Sequence, residues 1–77
     1  MNKARRKWLQ SVINALEEQK GELESIQDEE QEAYDNLPES LNDTDRANDM
    51  YENIDGLGDA ASELDDIISN LQEILER

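Results

Sequence analysis

Apolar residues recur at alternating steps of three and four along both halves of this chain, and one proline separates the halves. In the second half Ala47, Met50, Ile54, Leu57, Ala61, Leu64, Ile68, Leu71 and Leu75 keep that alternation without a miss. Such spacing holds side chains on one stripe of an α-helix and repeats every seven residues. As a heptad, Ala47, Ile54, Ala61, Ile68 and Leu75 take position a, and Met50, Leu57, Leu64 and Leu71 take d. In the first half Leu9, Val12, Leu16, Leu23, Ile26 and Ala33 follow the same steps, with Gln19 and Glu30 in the two remaining places. Leu9, Leu16, Leu23 and Glu30 are then read at a. No proline interrupts this half, and strong helix formers dominate it.

Between the halves lies Asn36-Leu37-Pro38-Glu39-Ser40-Leu41-Asn42-Asp43-Thr44. Pro38 cannot continue a helix, and Leu37 before it is pushed out of the α region. Asn42 or Thr44 suits the cap of the next helix, with Asp45 near its positive end. The reading is all-α: one domain over residues 1–77, with a helix over about 3–35, a turn over about 36–43 and a helix over about 44–75. Equal lengths and a short turn predict an antiparallel two-helix coiled-coil hairpin. Pairing residues whose numbers add to 80, such as Leu16 with Leu64 and Leu23 with Leu57, makes every a meet a d.

A hairpin of this size is marginal by itself. Under this heptad Trp8 and Ala15 fall at g on the first helix, and Ile67 and Ile74 at g on the second. The two g rows lie along one side of an antiparallel pair, so these four side chains form a patch near the open end. The expected remedy is self-association into a four-helix bundle, with Trp8 as its anchor. The alternative is a widened seam within one chain.

The chain has 77 residues, with 21 Asp and Glu against 7 Lys and Arg, a net charge of −14. Lys3, Arg5, Arg6 and Lys7 sit in the first turns; from Trp8 onward 21 acids face only Lys20, Arg46 and Arg77. A surface this negative disfavours nucleic acid and membrane as direct partners and favours a protein with a basic surface. No stretch approaches the roughly 20 apolar residues of a membrane span. The basic start resembles the beginning of a signal peptide, but Gln10, Ser11 and Asn14 interrupt any apolar region after it. With no cysteine either, a cytoplasmic location is expected.

The absence of both Cys and His removes the nucleophilic dyads and triads and the usual zinc sites. No glycine-rich phosphate loop is present, and two helices offer no pocket in which to raise a carboxyl pKa. The chain is therefore not expected to be an enzyme, nor to take a cofactor or metal. Asp43-Thr44-Asp45-Arg46-Ala47 begins like a calcium loop but fails it at Ala47, at the missing glycine and at Ile54.

On the second helix every f position is acidic: Asp45, Glu52, Asp59, Asp66 and Glu73, flanked by Asp49, Asp55 and Glu63. Neighbours three or four apart on a helix repel one another at about 5–6 Å. The row is read either as a solvated face that keeps the rod soluble or as an imitation of a phosphate backbone. In the second case it would occupy the basic groove of a nucleic-acid-binding protein. The basic start is read as a contact site or as local neutralisation of Glu73, Glu76 and the C-terminal carboxylate. Gly56 and Gly58, set opposite Gln19 to Glu24 by the antiparallel pairing, mark a close approach of backbones or of a partner's side chain, or else a soft point or kink in the helix. Tyr34 and Tyr51 are placed together near the turn.

Asn2-Lys3-Ala4-Arg5-Arg6-Lys7 and Glu29-Glu30-Gln31-Glu32-Ala33-Tyr34-Asp35-Asn36-Leu37-Pro38-Glu39-Ser40-Leu41 resemble segments of small acidic helical proteins of gut Firmicutes and of their phages and integrative elements. The resemblance covers nearly the whole chain and implies an intracellular accessory protein of a mobile element. Proteins of that setting often block defence nucleases or repair enzymes, sometimes as DNA mimics. The resulting expectation is a non-enzymatic inhibitor of a nucleic-acid-binding host protein. Its alternative is a structural or adaptor protein that works by helix–helix docking and homo-oligomerisation.

Overall fold

The computed structural model describes residues 1–41 and 44–77. Two helices, α1 (Lys3–Asp35) and α2 (Asp45–Glu76), pack against each other along a rod of 60 × 14 × 13 Å. Among the described residues there is no strand. Cross-helix contacts run from Arg6 with Leu75, through Lys20 with Asp65, to Tyr34 with Tyr51, so the helices are antiparallel.

Local chemistry sets the ends. Asn2 caps α1: its side-chain oxygen accepts the Arg5 N–H at 2.8 Å, satisfying one of the first-turn donors. Positive side chains in this turn oppose the helix dipole, so the cap offsets an unfavourable start. Asn36 closes α1 by donating its N–H to the Glu32 carbonyl at 3.1 Å. Pro38 then begins a tight turn in which Leu41 donates to the Pro38 carbonyl at 2.8 Å. Thr44 is the cap of α2; its hydroxyl donates to the Leu41 carbonyl and accepts the Ala47 N–H. Asn42 and Asp43, the alternative cap and the first residue of the rejected calcium loop, lie outside the described residues.

The α2 stripe follows its heptad. Ala47, Met50, Ala61 and Ile68 are buried, and Ile54, Leu57, Leu64, Leu71 and Leu75 are half-buried. The α1 stripe does not. Its covered residues are Arg6, Leu9, Ile13, Leu16, Lys20, Leu23, Gln27, Glu30 and Tyr34. Leu9, Leu16, Leu23 and Glu30 stay in the seam, but the residue four positions after each joins them, not the one three positions after. At 100° per residue this turns the buried stripe by about 50° around α1. Ile13 becomes the most deeply buried side chain, at 0% exposure, while Val12 and Ile26 are left 40% and 49% exposed. Gln19 and Ala33 are exposed as well.

The physical reason lies in the heads of the polar seam residues. Arg6, Lys20, Gln27 and Glu30 cover the seam with their stems and send their polar ends to its edges. Arg6 donates from Nη1 to the Leu75 carbonyl. Gln27 donates from Nε2 to the Ile54 carbonyl at 3.0 Å, and Glu30 accepts from Asn53 at 3.0 Å. The rotated stripe gains these cross-helix bonds, which Val12, Gln19, Ile26 and Ala33 do not make. The register moves with it. Seam partners centre on numbers that add to about 84, not 80, which sets Ile13 level with Leu71, Leu16 with Ile68 and Leu23 with Ala61.

Candidate interaction surfaces

With the seam defined, each side of the rod is formed by one row from each helix. On one side run Arg5, Val12, Gln19, Ile26 and Ala33 of α1 beside Arg46, Asn53, Ala60, Ile67 and Ile74 of α2. On the other run Gln10, Glu17, Glu24 and Gln31 beside Tyr51, Gly58, Asp65 and Gln72.

The second side is tied together within the chain. Lys20 Nζ lies 3.2 Å from Asp65 and 3.5 Å from Glu24. Hydrogen bonding to Asp65 and the Asp65 charge hold the Lys20 ammonium above its ordinary pKa of 10.5, and Glu24 adds to this against the opposing effect of burial. Gln72 donates to Glu17 at 3.3 Å. The rings of Tyr34 and Tyr51 meet at 6.2 Å, tilted by 53°; Tyr34 belongs to the seam and Tyr51 covers it from outside. Gly58 also lies here. A Cβ on Gly58 would meet the Gln27 amide nitrogen at 2.7 Å, so this glycine admits the close approach of Gln27. Gly56 has open space around it, and α2 runs unbroken through both. Gln27 fills the place opposite this run, where pairing by numbers that add to 80 sets Gln19 to Glu24.

The first side is tied by the Asn53–Glu30 bond towards the turn and otherwise carries exposed apolar side chains. Trp8 is 72% exposed and Ile67 49% exposed, and Met1 and Val12 line a hollow with Trp8. Of the patch residues read from the heptad, Trp8, Ala15 and Ile67 are exposed and Ile74 is half-buried. The rotation of α1 carries Trp8 and Ala15 one row further outward and puts Val12 in the flanking row. Val12, Ile26 and Met1 are the residues that the sequence reading missed. Their signal was an apolar arc on α1 too wide for one seam: Trp8, Val12 and Ile26 in addition to Leu9, Ile13, Leu16 and Leu23. Two shallow hollows lie on this side. One, of about 250 Å³, is lined by Met1, Arg5, Trp8, Leu9 and Val12. The other, of about 430 Å³, is lined by Ile26, Gly56 and Leu57 and rimmed by Glu30, Glu52 and Asn53.

The acidic row Asp45, Asp49, Glu52, Asp55, Asp59, Glu63, Asp66 and Glu73 is fully on the surface of α2, away from the seam. Among the described residues, ion pairs are confined to Lys20, so no cation bridges this row. The basic start likewise makes no ion pair with Glu73 or Glu76; its one cross-helix bond is that of Arg6 to a carbonyl. Among the described residues no acidic cluster converges as a metal site would require, and no helix is long and apolar enough to cross a membrane.

No protein family, characterised protein or solved structure matches the chain.

Proposed function

We propose that this chain is a non-enzymatic interaction protein that works by helix–helix docking through its apolar side, and that it self-associates into a four-helix bundle. The carrying observation is the open row Trp8, Val12, Ile26 and Ile67. On both helices apolar residues extend beyond the seam on this side: Val12 and Ile26 of α1 and Ile67 of α2 in the flanking rows, with Trp8 one row further out, as on helices that face a bundle core. Full burial of a side chain the size of Val or Ile is worth about 1.5–3 kcal/mol. A hairpin whose seam includes Arg6, Lys20, Gln27 and Glu30 has much to gain from it. Light scattering on the parent and on Trp8→Ala tests the reading. The parent is expected to be larger than one chain and to remain so at high salt, and the variant to fall towards a monomer. A monomer for both rejects it.

A second reading rests on the acidic row of α2, exposed over its whole length and free of bridging cations. In it the chain is a mobile-element or phage protein that blocks a nucleic-acid-binding host protein, such as a defence nuclease, by imitating DNA. Regular negative charge along a rod is what a basic groove recognises in a phosphate backbone. This binding falls steeply with salt and competes with DNA. Changing Asp45, Asp59 and Asp66 to Asn and Glu52 to Gln should abolish it with helix content kept; unchanged binding removes this reading. Of the acidic row only Glu52 also borders a hollow of the apolar side, so changes at Asp45, Asp59 and Asp66 separate the two activities.

A further inference from the structure

The two hollows of the apolar side are bordered by opposite charges. At the open end the hollow is bordered by Arg5, next to Lys3 and Lys7; towards the turn the hollow is rimmed by Glu30 and Glu52. The two hollows are matched in level. In the observed register Ile67 lies level with Glu17, and Trp8 and Ile26 stand nine residues to either side of Glu17, about 13 Å each way.

From this we infer that the occupant of the apolar side is a second copy of this chain, laid open end to turn end about a two-fold axis that passes beside Ile67. The inference rests on the docking reading above and adds the orientation. In this arrangement Ile67 meets Ile67 of the second copy. Trp8 of each copy faces the hollow walled by Ile26, Gly56 and Leu57 of the other. Gly56 carries no side chain and has open space where one would be, which leaves room for an indole ring. Arg5 falls level with the rim formed by Glu30 and Glu52 of the second copy, so opposite charges border the same buried ring. Each copy offers the same surface to the other, as a closed two-fold interface requires.

The competing orientation lays open end beside open end. It sets Arg5 against Arg5 and Glu30 and Glu52 against their own copies. With each chain at −14, like-charge juxtaposition is the main cost of assembly, and it selects between two orientations of otherwise similar apolar contact.

The chain has no cysteine, so single labels can be placed without background. Ala4→Cys and Ser40→Cys put a label at the open end and at the turn, both on exposed residues. Resonance energy transfer is then measured in mixtures of donor-labelled and acceptor-labelled chains. Light scattering on the same samples reports the mass. In the proposed orientation two Ser40 labels are roughly 65 Å apart, while Ala4 and Ser40 of different copies approach within about 25 Å. In the opposite orientation the first distance is about 20 Å and the second about 50 Å. A dimer with strong Ala4–Ser40 and weak Ser40–Ser40 transfer supports the inference. A dimer with the reverse pattern overturns the orientation and leaves self-docking standing. A monomer overturns both.

Discussion

The two sides of the rod are built on opposite plans. On the side of Glu17, Lys20, Asp65 and Gln72 the two helices meet each other's polar groups, and Tyr51 covers Tyr34. That side needs nothing from outside the chain. On the side of Trp8, Val12, Ile26 and Ile67, apolar side chains of both helices stand in solvent with little to cover them. A short rod cannot spend apolar residues this way without cost, since its core is small. The difference supports the proposal that one seam serves folding and that the adjacent apolar row serves association. The boundary between the two jobs runs between Ile13 and Val12, neighbours in sequence with exposures of 0% and 40%.

Truncating the two residues at that boundary should therefore have very unequal effects. Ile13→Ala removes the most buried side chain and should lower stability by about 3 kcal/mol. Val12→Ala, measured on dilute protein, should change stability by less than about 0.5 kcal/mol. Thermal unfolding followed by circular dichroism reads both, and equal losses would restore the seam that includes Val12.

Next in size is the docking anchor. A buried interface tryptophan typically contributes about 2 kcal/mol or more, so Trp8→Ala should weaken self-association at least about 30-fold for each of the two indoles that a two-fold dimer loses. The same variant should leave the unfolding of the isolated hairpin almost unchanged, because Trp8 is 72% exposed. Sedimentation equilibrium over a concentration series measures the first effect.

The glycines compare the two sides at one level of α2. Gly56→Ala enters open space and should stabilise the chain by up to about 1 kcal/mol through helix propensity. Gly58→Ala gains the same propensity but displaces the Gln27 amide, and with it the bond to the Ile54 carbonyl. Its gain should be smaller by about 1 kcal/mol, the net worth of one hydrogen bond. Equal melting temperatures for the two variants would show that the Gln27 bond contributes nothing.

The smallest effect concerns Lys20. Its pKa in the folded chain is raised by Asp65, so the stabilisation is complete below the unfolded value of 10.5 and is lost as pH rises through the folded value. The parent should lose stability relative to Lys20→Met only above about pH 10.5. A difference that is already changing at neutral pH would contradict the ion pair.

How much of this was legible in the sequence differs between the helices for a physical reason. In α2 both seam positions are apolar in every heptad, while the neighbouring Ile67 and Ile74 occupy g only near the open end, so a single stripe runs unbroken along the helix. In α1 the residues after Leu9 are Val12 and Ile13, either of which continues the pattern; after Leu23 they are Ile26 and Gln27. Counting apolar residues favours Val12 and Ile26. The folded hairpin favours Ile13 and Gln27, because long polar side chains cover the seam with their stems and bond across it. Hydropathy does not register that stem, nor does it register the Arg6, Gln27 and Glu30 bonds to α2. The Asn2 cap was readable in type but lost in a run of cations. The acidic row on α2 was readable because the α2 seam was. The place of Val12 and Ile26 on the open side was not, because it depends on the turn of α1.

If docking closes the side that carries Trp8, the indole passes from water in one chain to an apolar surface in the assembly. Trp8 is the only tryptophan, so its fluorescence reports that side alone. The most direct measurement is its emission spectrum from dilute to concentrated protein, with helix content followed in parallel. A progressive blue shift at constant helicity is the predicted result. Emission that stays that of a solvated indole across the whole range would contradict it.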